Sequence, residues 1–126
     1  MNAVEPRVTA RRDTASAEWF DALREGQLLV RRCPLGHLSR QDVLACDDCG
    51  ATDLSWHAVK GHGTLVSVAV DHSGPEPTRI AVVELAEGPW LLTRIEGAPP
   101  TRGENVVVRV ADPAEGEPYP VVTRTT

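Results

Sequence analysis

Three cysteines and a histidine stand close together in the chain, at Cys33, His37, Cys46 and Cys49, and no cysteine lies elsewhere. Cys46 and Cys49 form a Cys-x2-Cys pair followed by Gly50. That spacing aims two thiolates at one tetrahedral ion, while the glycine turns the chain and frees backbone N–H groups toward the sulfurs. Cys33 offers a third thiolate. Gly36 stands where a second cysteine of the first knuckle would be expected, and His37 beside it offers an imidazole nitrogen. The set would make a closed Cys3His zinc site. Three chemistries compete for these residues. In one, His37 replaces a cysteine and zinc is bound. In another, the site has decayed and the loop folds without metal. In the third, Cys46 and Cys49 form a redox pair or disulfide. The odd cysteine count and the lack of a secretory leader argue against a disulfide framework. No strong helix follows Cys49, as a thioredoxin-like site would need.

The remaining reactive side chains do not assemble into a catalytic pattern. His57, His62 and His72 are scattered in or beside strand-like stretches. There is no Ser-His-Asp order, no Gly-x-Ser-x-Gly and no pair of carboxylates with a pocket signature. Gly61-His62-Gly63 is too short for a phosphate loop and precedes a strand rather than a helix. The chain therefore reads as non-catalytic on its own.

Charge narrows the partners. The net charge is −5, with one tyrosine and one phenylalanine. Single-strand binders need a basic groove and stacking aromatics, and the phosphate contribution that dominates their affinity is poorly served here. Trp56 and Trp90 lie in strands and are expected in the core. A local patch from Arg31, Arg32 and Arg40 keeps a single-stranded nucleic-acid-binding ribbon and OB module as the alternative reading. No apolar run approaches the length of a membrane span. The expected location is the cytoplasm, where thiols stay reduced and free to hold metal.

The elements that must position the cysteines follow from pattern. The 126 residues, 41% of them hydrophobic, suffice for one domain or two very small ones. Residues 1–13 read as a polar, flexible arm. Residues 16–25 read as a short helix, with Ser16 placed to cap it, Arg24 in its last turn and Gly26 ending it. Trp19, Phe20 and Leu23 share a face of that helix. Two readings of this face stand side by side: packing on its own domain, or docking on a partner, for which Trp19, Phe20 and Leu23 would be the binding residues. Gln27 to Arg32 and Asp53 to Val59 are short strands on either side of the cysteines. Together they predict a rubredoxin-like zinc ribbon over residues 27–59, with little core of its own and much of its folding free energy from the metal.

From Lys60 onward the pattern is all strand: 63–71, with Val66, Val68 and Val70 alternating, then 79–85, 90–95, 105–110 and 119–124. Five short strands without an intervening helix predict a small closed Greek-key barrel of OB type over residues 60–126. An SH3-like barrel is the rival. The fold class is thus mainly β, as an N-terminal arm and helix (1–26), a ribbon and a five-stranded barrel.

The order of these pieces resembles a known family. A helix, then Gly26-Gln-Leu-Leu-Val-Arg-Arg-Cys33, the Cys46–Cys49 knuckle, Gly61-His-Gly-Thr64 and Val83-Glu-Leu-Ala-Glu-Gly88 with Leu91 and Leu92 resemble the zinc-ribbon and OB-fold proteins grouped as domain of unknown function thirty-five. The likeness spans about residues 13–112. The family's ribbon normally carries four cysteines, so Cys33, Cys46 and Cys49 carry over and the fourth does not. The prolines usual before the second knuckle are replaced by Gln41-Asp-Val-Leu-Ala45. The resemblance implies a non-catalytic accessory subunit of a thiolase-fold partner acting on acyl-CoA in lipid or steroid metabolism, either an acyltransferase or a side-chain aldolase. Thr14 and the Trp19–Leu23 segment are most similar to the aldolase-associated members. The partner would supply the nucleophile. This chain would form a hetero-oligomer with it and help shape the site for the CoA ester, with the CoA ester shared between the two.

Overall fold

Trp19 and Leu23 start the fold rather than wait for a partner. A computed structural model describes residues 16–125, so the expected arm at 1–13 and Thr14 lie outside the described residues. Helix α1 covers Ala17–Arg24, with Ser16 at its N-cap. It stops in a two-bond reversal: Gln27 N–H donates to Ala22 O at 2.9 Å and Gly26 N–H to Leu23 O at 2.9 Å. This pattern satisfies carbonyls that the last turn would leave open. Leu23 is fully buried, Trp19 is 6% exposed, and the Trp19 indole N–H donates to Leu29 O at 3.0 Å. Phe20 is half-buried and meets the Trp19 ring edge-on at 5.0 Å.

Three strands make the ribbon sheet: β1 (Leu28–Arg32), β2 (Leu38–Ser39) and β3 (Ser55–Val59), in the order β2-β1-β3 and all antiparallel. Leu28, Leu29 and Val30 of β1 are buried and belong to one cluster with Trp19 and Leu23 of α1. Arg31 lies over the Trp56 ring, its guanidinium carbon 3.5 Å from the centroid.

Five further strands close a barrel: β4 (His62–Asp71), β5 (Thr78–Leu85), β6 (Trp90–Ile95), β7 (Asn105–Ala111) and β8 (Tyr119–Arg124). Their spatial order is β4-β5-β6-β8-β7, with β7 returning to β4. Pairing is antiparallel except between β6 and β8, which run parallel through Arg94–Val121 and Ile95–Val122. This is the Greek-key order of an OB barrel, and it decides against the SH3-like alternative. Thr93 sits at the parallel seam, its buried hydroxyl donating to Pro120 O at 2.8 Å.

Inward-facing aliphatics fill the barrel. Leu65, Val83, Leu85, Leu91, Val106 and Val122 are each at most 2% exposed. They form one cluster with Trp19, Leu23 and the β1 residues. The ribbon base, α1 and the barrel thus share a core. Arg24 adds a polar tie, its guanidinium reaching Asp112 at 3.3 Å and Glu117 at 3.4 Å in the loop before β8.

The alternation of Val66, Val68 and Val70 is interrupted. A bulge between Leu65 and Ser67 breaks it at Val66, Leu65 takes the core position, and Val68 and Val70 stay exposed. One expectation needs correction: Trp90 is not core but 46% exposed, because it faces outward opposite Glu84 while Leu91 points in.

Candidate metal centre

The four chemically suited residues meet at the tip of the ribbon. Cys33 follows β1, His37 precedes β2, and Cys46 and Cys49 lie on the loop between β2 and β3. Their ligand atoms all fall within 4.8 Å of one another. His37 Nδ1 is 3.5 Å from Cys33 Sγ and 3.7 Å from Cys46 Sγ, and Cys49 Sγ is 3.8 Å from Cys33 Sγ. A tetrahedral zinc with metal–sulfur bonds of about 2.3 Å and metal–nitrogen bonds of about 2.0 Å needs sulfur–sulfur edges near ~3.8 Å and sulfur–nitrogen edges near ~3.5 Å. The observed separations match both edges, so the residues fit a metal such as zinc. Direct disulfide geometry, at about 2.05 Å between sulfurs, is far from what is seen, and all three cysteines are free.

Comparing the two knuckles relates His37 to the cysteine that the first one lacks. In the second, Cys46 N–H donates to Ala51 O at 2.8 Å, and Gly50 N–H donates back to Cys46 O at 2.9 Å. In the first, Cys33 N–H donates to His37 O at 3.0 Å, and Gly36 N–H donates to Cys33 O at 2.9 Å. His37 therefore corresponds to Ala51 and Gly36 to Gly50. The first knuckle is one residue shorter, and the missing residue is the counterpart of Cys49. Gly36 has φ 90°, a conformation that a side chain would strain, so it cannot simply become the missing ligand. An imidazole one step further along reaches back to the centre that a short cysteine would not.

The protonation of the cluster favours cation binding. The Cys49 N–H, the Asp48 N–H and neighbouring side chains stabilise the Cys46 thiolate against the cost of burial and hold its pKa at about 6. Cys49 moves the other way. The Ala51 N–H pulls it down, but burial and the adjacent Cys46 and Cys33 sulfurs outweigh that and raise it. Crowded sulfurs cannot all ionise without a positive charge between them, and a bound cation removes the conflict. All four positions of a tetrahedral ion would be filled by protein, the arrangement of a structural rather than a catalytic zinc.

Of the residues singled out for partner binding, two are corrected. Trp19 and Leu23 are interior, because α1 must cover β1 and the end of the barrel core. Phe20 keeps part of its ring outside. What the pattern did not single out is the ribbon tip. Leu35 is 75% and Leu44 85% exposed there, and a cleft of about 660 Å3 opens between His37–Arg40, Asp47, Asp48 and the β5–β6 turn with Trp90. Single apolar residues in loops carry no periodic signal, which is why sequence alone passes over them.

Comparison with known proteins places this geometry. Residues 56–111 match the family model described as the C-terminal OB-fold domain of ChsH2. The chain is 32% identical over 122 residues to a probable enoyl-CoA hydratase alpha subunit of Thermomonospora curvata, covering 92% of this chain and 38% of that protein. It is 32% identical over 101 residues to the 3-oxo-4,17-pregnadiene-20-carboxyl-CoA hydratase alpha subunit of Mycobacterium tuberculosis, covering 76% of this chain and 32% of that one. The chain spans about a third of the length of these curated relatives. Among solved structures it is similar to a chain of the Ltp2-ChsH2(DUF35) aldolase, with TM-score 0.75 and 29% identity, covering 95% of this chain and all of that one. A DUF35-family protein of unknown function from Sulfolobus solfataricus shares the fold at TM-score 0.57 and 18% identity, over 75% of this chain and 77% of that one.

Proposed function

Since the chain belongs to the DUF35 family of zinc-ribbon and OB-fold proteins, we propose that it is the non-catalytic accessory subunit of a thiolase-like acyl-CoA enzyme, an acyltransferase or a side-chain aldolase. The observation that carries this reading is the likeness to a chain of the Ltp2-ChsH2(DUF35) aldolase, which this chain covers from end to end. That protein is named for two components, and both curated relatives are named alpha subunits of CoA-ester hydratases. The partner supplies the nucleophile. The Cys3His cluster is spent on a structural zinc, which supports the division of labour. This chain holds the assembly together and helps shape the site in which the CoA ester is shared.

The partner meets the ribbon tip in this reading, not the buried face of α1. Leu35 and Leu44 are large apolar groups exposed on the loops of the tip, Trp90 lines the cleft between the tip and the β5–β6 turn, and a thiolase-fold subunit would cover them. Co-expression with a thiolase-fold protein encoded nearby, followed by size-exclusion chromatography, should give a stable complex. Leu35→Glu with Leu44→Glu should weaken it at least tenfold and leave the melting of the isolated chain unchanged. A complex indifferent to both changes would move the docking surface elsewhere. CoA-ester turnover by the chain alone would end the accessory reading.

A further inference from the structure

Strand β4 runs on past the point where the barrel closes. Its pairing with β7 stops at Thr64. Leu65 then gives its outer groups to a loop: its N–H donates to Glu104 O at 3.0 Å, and its C=O accepts from Gly103 N–H at 2.8 Å. From Ser67 to Asp71 the strand pairs with β5 on one side. Among the described residues nothing pairs with the other side. Alternation settles which groups are left there. Leu65 points its backbone groups outward, and the Val66 bulge resets the count. Ser67, Ala69 and Asp71 then bond to β5, while Val68 and Val70 direct N–H and C=O to the open edge.

That edge is unguarded. Val68 is 39% and Val70 49% exposed, and the run Val66-Ser-Val-Ala-Val70 holds no charge and no proline. Exposed edges are ordinarily blunted by lysine, proline or a bulge. The one bulge present lies ahead of the open stretch.

We propose that this edge is an interface between two copies of the chain, formed by antiparallel pairing of β4 with β4 about a two-fold axis at Ala69. The register follows from which groups are free. Centred on Ala69, Val68 lies opposite Val70 of the second copy, each pair exchanging both backbone bonds and matching apolar side chains. Ser67 lies opposite Asp71, hydroxyl against carboxylate, and no like charges meet. A register centred on Val68 would call on Leu65, whose bonds are already taken. One centred on Val70 would set Val68 against His72. The Ala69-centred contact is isologous, so it closes at two copies instead of growing into a fibre. The edge is short and the pairing is therefore reversible, as expected of an interface well below the area of an obligate dimer. The reading is independent of any acyl-CoA partner, because β4 at Val68–Val70 and the ribbon tip are different surfaces.

Sedimentation equilibrium of the 126-residue, zinc-loaded chain tests it. The mass should rise from one to two chains with concentration. Val70→Pro removes an outward N–H and no bond to β5, so it should leave a monomer at every concentration with the far-ultraviolet spectrum and melting temperature little changed. Should that variant misfold, Val68→Lys replaces it, with the same loss of dimer expected. Ala69→Cys should cross-link to itself under mild oxidation, whereas Ser67→Cys, facing Asp71, should not. A wild-type chain that stays monomeric throughout overturns the proposal. So does a dimer that survives both edge variants and yields no Ala69→Cys link.

Discussion

The ribbon and the barrel solve the same problem by different means. In the barrel, interleaved aliphatics from every strand exclude water, and Leu65, Val83, Leu91, Val106 and Val122 hold five strands together without any polar centre. In the ribbon, only the base joins that core, through Leu28, Leu29 and Val30. At the tip, Leu35 and Leu44 face solvent while Cys33, Cys46 and Ser39 are buried. With two of its three thiols inside and these leucines outside, the tip gains little from the hydrophobic effect, and the Cys33, His37, Cys46 and Cys49 cluster is where an ion could stabilise it. The ribbon therefore divides into a base packed with the barrel and a tip without an apolar core, and the junction falls at Arg32–Cys33.

The strongest way to break this contrast is to take the metal away. Protein purified without chelator should carry about one zinc per chain by elemental analysis. Zinc contributes on the order of 10 kcal/mol to isolated zinc-finger peptides. Here the base is already packed, so the loss should be confined to the tip. Cys46→Ser or a strong chelator should collapse amide protection over residues 33–54, while the barrel strands keep theirs in hydrogen exchange. Barrel amides that open together with the tip would show that the two regions are one cooperative unit after all.

A second change acts on both regions at once. Leu23 is fully buried where α1, β1 and the barrel core meet. Leu23→Ala should cost about 2–5 kcal/mol, from lost transfer and the cavity left behind. Chemical denaturation should show one transition shifted as a whole. A loss confined to the ribbon would separate the base from the barrel core. A surface role for this face predicts almost no change, so the measurement also decides between packing and docking for Trp19 and Leu23.

Much of this was legible in the sequence, for identifiable reasons. The Cys-x2-Cys spacing, Gly26 after the helix and the runs at 90–95 and 119–124 each carry a short-range rule that tertiary context did not override. The Greek-key order was implied by strand count and by resemblance, but the parallel β6–β8 seam rests on long-range pairing and has no local signal. Periodicity tells which residues share a face and not what that face meets, so it leaves the Trp19–Phe20–Leu23 face open between packing and docking and puts Trp90 in the core. The bulge at Val66 is invisible to an alternation count because Thr64-Leu-Val-Ser-Val68 holds no glycine, proline or charge to mark it. At the candidate metal centre the grouping of Cys33, His37, Cys46 and Cys49 was readable, but the one-residue shortening that makes His37 the counterpart of Ala51 needed the backbone hydrogen bonds.

Within the barrel, close packing can be probed at a residue with no side chain. A Cβ on Gly63 would lie 2.6 Å from Glu84 O and 2.7 Å from Val83 Cγ1. Both are held in the β4–β5 ladder, so neither can step aside. Gly63→Ala should lower stability by roughly 1–3 kcal/mol, the range for overpacking. The same change at Gly88, where a Cβ would meet nothing within 4 Å, should act only through its φ of 118° and leave the ladder intact. Thermal melts of the two variants, with zinc content measured in each, separate these causes. Loss of zinc from the Gly63 variant would tie the barrel's fit to the ribbon tip and weaken the contrast.

The smallest effect expected lies in acid, at the barrel's polar pin. Glu104 accepts from Thr101 N–H at 2.8 Å and from the Thr101 hydroxyl at 3.0 Å, and Arg124 Nε donates to its other oxygen at 2.7 Å. These contacts, the Thr101 N–H foremost and the Arg124 guanidinium next, hold its pKa below the ordinary 4.5. A carboxyl with a depressed folded-state pKa binds its proton more weakly in the native chain than in the unfolded one. Its contribution to stability is therefore complete above about 4.5 and fades as pH falls through the lower native value. Glu104→Gln removes the charge at every pH. The variant should be slightly less stable than the wild type at pH 7, and the gap should close between pH 5 and the native pKa. Urea midpoints across that range read it out. Because the ribbon tip contains none of these groups, chelated protein should show the same closing gap; a gap that needs zinc would mean that Glu104 steadies the tip as well as the loop beside Leu65.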